Sequence, residues 1–184
     1  MLENLLAYHC GPALAGIKPA NIAACHKSRI PNVHKEIKRL NTELNRKDIY
    51  IEILCECDVR VLVMVYRKEV LQKHLQNPEM TEFLADFGYP NEGTVEEYID
   101  CLRSRLSDCG GFPHEIGVFL GYPLRDIYGF INHRDDGCLL IGEWKVYENV
   151  EAAEKLFVRY KACRNAILKR VTSGFTLAQI FCAA

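Results

Sequence analysis

The sequence predicts an α+β protein: one compact domain over residues 1–184, with about four mostly antiparallel strands packed against seven to nine helices. Three observations predict it. A chain of 184 residues is the length of one domain. A composition of 49% hydrophobic and 26% charged residues gives it enough apolar side chains for a sizeable core. The hydrophobic period switches between two and 3.6, and the strands cluster as two antiparallel pairs, over 49–67 and 115–147. A parallel sheet would instead alternate strand and helix throughout.

The first segment reads as short helices at 2–9, 12–17 and 19–26, because Pro12 and Pro19 each stand where a new helical turn can begin. Residues 32–46 form a clearer helix. Asn32 can cap it, and Val33, Ile37, Leu40 and Leu44 make one apolar stripe. Over 49–57 the period becomes two: Ile49, Ile51, Ile53, Cys55 and Cys57 share one face of a strand. That placement makes the Cys55/Cys57 pair core packing. Asp58 turns the chain into a second strand at 59–67, rich in β-branched residues, and the two form an antiparallel hairpin. Helices follow at 68–76 and 79–87, split by Asn77-Pro78. After a loop, Thr94 and Glu97 make a capping box for a helix that runs to about 107. Gly110 and Gly111 break the chain, and 114–120 reads as a short buried strand. A helix at 123–132, a polar turn at 132–137, a strand at 138–147, a long helix at 149–171 and a last helix at 175–182 complete the chain. The tripeptide Gly-Tyr-Pro occurs at 88–90 and 121–123, too little for a repeat.

Lys and Arg number 23 against 24 Asp and Glu, a net charge of −1, so bulk electrostatics gives no reason to expect nucleic-acid binding. No apolar run approaches the roughly 18 residues that span a bilayer, so no membrane partner is expected. The first ten residues lack the basic and apolar regions of a secretory signal. The nine cysteines are therefore expected as free thiols in a reducing cytoplasm; nine is odd, and no C-x-x-C occurs.

Chemistry concentrates in three segments. In the first, Gly11-Pro12 after Cys10 suggests a helix start, where dipole and free amides favour thiolate; His9 and Lys18 would add positive charge. The plain alternative is a buried cysteine beside a structural histidine. In the second, His114 at the mouth of an apolar strand can face a cleft, and Tyr122 follows nearby. Glu115 points to the other strand face and so orients His114 poorly. In the third, Trp144 and Val146 share one face while Glu143, Lys145 and Tyr147 share the other. The lone tryptophan is core, and Lys145 with Tyr147 can line a pocket or simply form a cross-strand pair. Tyr160, Cys163 and Arg164 lie within one helical turn of each other. Phosphate-binding glycine loops and zinc-ligand spacings are absent.

Taken together, His9-Cys10-Gly11-Pro12-Ala13-Leu14-Ala15-Gly16-Ile17-Lys18-Pro19-Ala20-Asn21, Phe112-Pro113-His114-Glu115-Ile116-Gly117-Val118-Phe119-Leu120-Gly121-Tyr122-Pro123 with Asp126 and Gly129-Phe130, and Trp144-Lys145-Val146-Tyr147 with Tyr160 and Cys163 resemble the bacterial domain-of-unknown-function family 3793. The resemblance runs over essentially the full chain. It implies a small cytosolic bacterial protein, from an anaerobe, and no particular activity. A slighter likeness is to papain-like cysteine hydrolases, which place a Cys at a helix start and a His on a later strand; here it covers Cys10 and His114 only, with Glu143 as orienting residue by position.

The leading expectation is thus an enzyme-like domain acting on a small molecule. Cys10 is its nucleophile or redox thiol and His114 its base. His9, Lys18, Glu115, Tyr122, Lys145, Tyr147 and Tyr160 are the substrate contacts. A rival reading is a metal- or haem-binding protein using His9, Cys10, His114 or Cys163. A third is a non-catalytic interaction module. No pattern assigns a cofactor or an oligomeric state.

Overall fold

The computed structural model describes residues 1–108, 112–134 and 136–182. Its element order is α1 (Leu2–Leu14), β1 (Ala20–His26), α2 (Val33–Leu44), a 3-10 turn, β2 (Ile49–Glu56), β3 (Arg60–Arg67), α3 (Lys68–Leu75), α4 (Pro78–Ala85) and α5 (Val95–Asp108). Then come α6 (Ile116–Phe119), α7 (Leu124–His133), β4 (Leu140–Ile141), β5 (Lys145–Val146), α8 (Val150–Thr172) and α9 (Leu177–Phe181). The α+β class holds: a three-stranded antiparallel sheet, β1-β3-β2, and a separate two-stranded one, β4-β5, packed with helices.

The larger sheet is buried on both faces, which its alternating residues predict. Val61, Val63 and Val65 of β3, with Ile49 and Ile51 of β2 and Ala23 and Cys25 of β1, pack against α1, α2, α8 and α9. Met64 and Tyr66, with Ala20 of β1, pack against α3, α4, α5, α6 and α7 on the other face. The outer edge of β2 is closed by side chains. The Asn41 amide donates to Ile51 O and accepts from Ile51 N, both at 2.9 Å, and Arg103 Nε donates to Ile53 O at 2.8 Å. This occupies groups that an unprotected edge offers to another chain.

Five sequence-derived elements, and the core placement of Cys55 and Cys57, need correction. The helices expected at 2–9 and 12–17 are one helix, α1, with Pro12 inside it; the next N–H, Ala13, donates to the buried Asn21 Oδ1 at 3.1 Å. Residues 19–26 are not helical. They form β1, pairing in full with the β-branched β3, so a strong partner overrides the helix preference of the alanines. Residues 114–120 are no strand but a turn and the short helix α6, whose Val118 carbonyl is held by His74 Nε2 at 2.9 Å. The strand expected at 138–147 is the small hairpin β4-β5, so the predicted pairing of 115–147 as two long strands does not form. In β2 a bulge between Ile53 and Cys55 puts Cys55 opposite Leu62 and Glu56 opposite Val61. Beyond it the alternation reverses: Cys55 is half-buried and Cys57 exposed, not core. Cys109 and the Gly110-Gly111 break lie outside the described residues.

The remaining elements follow their sequence signals. Thr94 and Glu97 form the expected capping box, Glu97 accepting from Thr94 N at 2.7 Å and Thr94 Oγ1 from Glu97 N at 3.3 Å. Gly11 explains how α1 meets α8. A Cβ there would lie 3.1 Å from Arg164 Cα, tighter than most side-chain contacts, so glycine eases this close approach of two backbones. Gly11→Val is expected to destabilise the protein by about 1–3 kcal/mol, because α8 must shift away; thermal denaturation reads it, and an unchanged melting temperature refutes the packing role.

Candidate functional site

Between β1, α6, α7 and the β4-β5 hairpin lies a cavity of about 440 Å³. Ile22, Ile116, Leu120, Ile127 and Phe130 make its walls apolar. Trp144 closes one side, only 7% exposed. Polar side chains are few: Tyr122, Asp126, the exposed His114, whose ring meets Phe130 edge-on at 5.2 Å, and Lys145, whose Nζ lies 5.2 Å from the same ring centroid. A mostly apolar hollow with a few placed polar groups is the usual form of a small-molecule site.

One residue fastens the wall. Asp126, in the first turn of α7 and 4% exposed, accepts from Trp144 Nε1 at 2.7 Å, Tyr147 N at 2.8 Å and Glu148 N at 3.2 Å. A buried carboxylate with three donors ties the hairpin to α7 and sets where Trp144 and Lys145 stand. Sequence reasoning did not select Asp126. It stands among the residues that carry the family resemblance, but an acidic residue in the first turn of a helix usually means no more than a favourable dipole interaction and does not mark a site.

Behind Trp144 is a second, polar cluster. Tyr122 packs at a tilt against Trp144, ring centroids 5.0 Å apart, lines the cavity, and donates from its hydroxyl to Glu143 O at 3.2 Å. Burial pushes its phenol up to about 12. The Glu143 carboxylate grips the Arg164 guanidinium through both terminal nitrogens, one bond at 3.0 Å. Lys18 is 2% exposed and holds its Nζ 5.2 Å from the Tyr122 ring centroid and 5.4 Å from that of Tyr160. Burial draws its ammonium down to about 8.

The structure does not bring Cys10 and His114 together. Cys10 lies in mid-helix with no exposed surface, in the core on the α1 face of the sheet, whereas His114 lines the cavity beside Ile22, Ile116 and Ile127, which pack on the other face. Cys10 is not at a helix start, and burial raises its thiol well above the ordinary range. Both physical reasons for expecting a thiolate are gone. His9 points outward beside Tyr8, its imidazole lowered by partial burial and by Arg164. Glu115, 1% exposed, pairs with Arg105 and accepts from Tyr89 at 3.4 Å, so it serves the α5 packing and not the cavity. Tyr147 covers Gly129 and donates to Arg134 O, beside a separate shallow depression. Of the expected contacts, Tyr122, His114 and Lys145 line the cavity; Lys18 and Tyr160 meet behind it.

Among the described residues no three His, Cys, Asp or Glu side chains are grouped to hold a metal, and no helix is long and apolar enough to cross a membrane. No curated protein and no solved structure matches the chain. A family model does, over residues 6–181, and its description is "Protein of unknown function (DUF3793)". The match takes in α1, the cavity, the polar cluster and α8 together, and the chain belongs to that family.

Proposed function

We propose that the protein binds a small, largely apolar molecule carrying an acidic group, in the cavity between α6, α7 and the β4-β5 hairpin. The observation that carries this is the cavity itself: about 440 Å³, apolar on its walls, with Lys145 and His114 among its few polar side chains. That volume falls within the roughly 300–1,000 Å³ of small-molecule pockets. The apolar body would displace water from Leu120, Ile127 and Phe130, and the acidic end would sit toward Lys145 and His114. The enzyme reading built on Cys10 gains nothing from a thiol sealed in the core, so binding is the function the geometry supports. A reducing, cytoplasmic compartment is part of the same proposal, since there the eight described cysteines would stay free thiols.

The single tryptophan makes the test direct, since Trp144 lines the cavity. Titration with 8-anilinonaphthalene-1-sulfonate, an apolar body with an acidic group, is expected to quench Trp144 emission in a saturable, one-to-one manner. Ile22→Phe, which fills the hollow, is expected to weaken binding tenfold or more. Lys145→Met should weaken it less, by loss of one charge. Unchanged Trp144 emission, or equal affinity in Ile22→Phe, overturns the reading.

A further inference from the structure

The two edges of the larger sheet differ. Asn41 and Arg103 close the β2 edge, whereas β1 is the opposite edge, and among the described residues no strand lies beyond it. Which β1 groups face that edge follows from the ladder. Lys27 N donates to Val59 O at 3.0 Å, one step past the His26–Arg60 pair. Pairing groups alternate along an antiparallel ladder, so residues 21, 23, 25 and 27 turn their N–H and C=O toward β3 and the residues between them turn outward. The outward His26 carbonyl is taken by Arg29 N and Ile30 N. The outward N–H and C=O of Ile22 and Ala24 have no hydrogen-bond partner among the described residues, and both residues are partly exposed. Such unpaired edge groups are a template for another strand.

Ile22 is also a wall of the cavity, which joins the two features. A strand added to β1 would lie about 4.8 Å from it, and its residue opposite Ile22 would carry its side chain on the same face of the sheet, toward the hollow. An antiparallel strand would bring its C-terminal end to the start of β1. There Gly121 packs on Pro19, where a Cβ would lie 2.6 Å from Pro19 Cδ, and Tyr122 leads through Trp144 to Lys145. Lys145 and His114 both stand against the Phe130 ring. Asp126, which also lines the cavity, is turned to its three N–H donors.

We infer that the ligand of this cavity is the C-terminal end of an extended peptide. Its backbone pairs antiparallel with Ile22 and Ala24, its last side chain is apolar and fills the hollow, and its carboxylate lies toward Lys145 and His114. The inference rests on the proposed binding cavity and names the class of molecule held there. Main-chain bonds that give affinity, with a pocket that reads one side chain, are a recurring mode of peptide recognition. A second copy of the chain fits less well. Its β1 reads Ala20-Asn21-Ile22-Ala23-Ala24-Cys25-His26 and brings no acidic group to Lys145 and His114.

The experiment titrates the full chain with a six-residue peptide of alternating valine and threonine that ends in leucine with a free carboxylate. Trp144 emission and displacement of 8-anilinonaphthalene-1-sulfonate are the readouts. Saturable one-to-one binding that displaces the dye is expected. N-methylation of the third residue from the end, opposite Ala24, removes a donor to β1 and should weaken binding about tenfold, the worth of one well-made hydrogen bond. N-methylation of the second residue, whose N–H points away from β1, should change affinity less than about twofold. Amidation of the terminal carboxylate should weaken binding several-fold. Equal effects of the two N-methylations, or equal affinity of acid and amide, overturn the inference. So does a chain that sediments as a dimer and refuses the peptide, which would give the edge to a second copy. A peptide that fails where the dye still quenches Trp144 overturns the inference and leaves the cavity reading standing; failure of both overturns both.

Discussion

Asp126→Ala is expected to cost about 3–5 kcal/mol, the larger of two effects on stability. The substitution removes an acceptor from three N–H groups at once: Trp144 Nε1, Tyr147 N and Glu148 N. Each donor left unsatisfied in a buried setting costs about 1–3 kcal/mol, and partial relaxation of the hairpin toward water recovers some of the sum. For a chain of this length, each kcal/mol lowers the melting temperature by about 2–4 °C. The loss is expected to be local before it is global. With its indole N–H released, Trp144 should become more exposed, and its emission should shift to the red below the melting transition. Asp126→Asn keeps one acceptor oxygen but turns an NH₂ toward a donor, so its cost should be about half. A melting temperature within 2 °C of the parent for Asp126→Ala would mean that the hairpin is held by apolar packing of Trp144 and Val146 alone.

The sequence carried the fold class and most elements because those are written in local periodicity. The α2 stripe of Val33, Ile37, Leu40 and Leu44 and the β2-β3 hairpin could be read directly, as could the Thr94–Glu97 cap. Where the reading failed, the deciding partner was distant. Residues 20–26 are alanine-rich, and only their pairing with β3 makes them a strand. Ile116 to Phe119 is buried all round, and an apolar run without a polar face has no period to read. The bulge that exposes Cys57 leaves no mark in the alternation that precedes it. The same contrast divides the site. Tyr122, Lys145 and His114 were legible as side chains near glycine- and proline-marked turns, and the structure gathers them at one cavity. Cys10 was selected because Gly11-Pro12 looked like a helix start. The structure shows that Gly11 serves the contact with Arg164 and that the helix continues through Pro12. The role of Asp126, which the family resemblance picked out only as a motif residue, could not be read, because it lies in three donors, all about twenty residues further along the chain.

The second large effect has the opposite sign. Lys18→Met is expected to stabilise the protein by about 2 kcal/mol at pH 7. In the folded chain Lys18 gives up its proton at about 8, and in the unfolded chain near 10.5. The depressed value means that the fold disfavours the ammonium. A separation of about 2.5 units corresponds to about 3 kcal/mol, and methionine fills a similar shape without the charge. Some of that gain is lost with the two ring contacts, each worth about 0.5–1 kcal/mol. The pH dependence separates this cause from better packing. Below pH 8 both states hold the proton and the whole cost persists. Between 8 and 10.5 the unfolded state binds more protons, so the stability of the parent rises with pH while that of Lys18→Met does not. The two should converge near pH 10.5, and a constant gap across that range would attribute the gain to packing. Convergence has a further meaning. A residue that costs the fold this much, and that a neutral side chain of the same length replaces with profit to stability, is not there for the core. Such a cost persists in natural chains because selection acts on more than stability, and pH curves of parent and Lys18→Met that meet near 10.5 would be its signature.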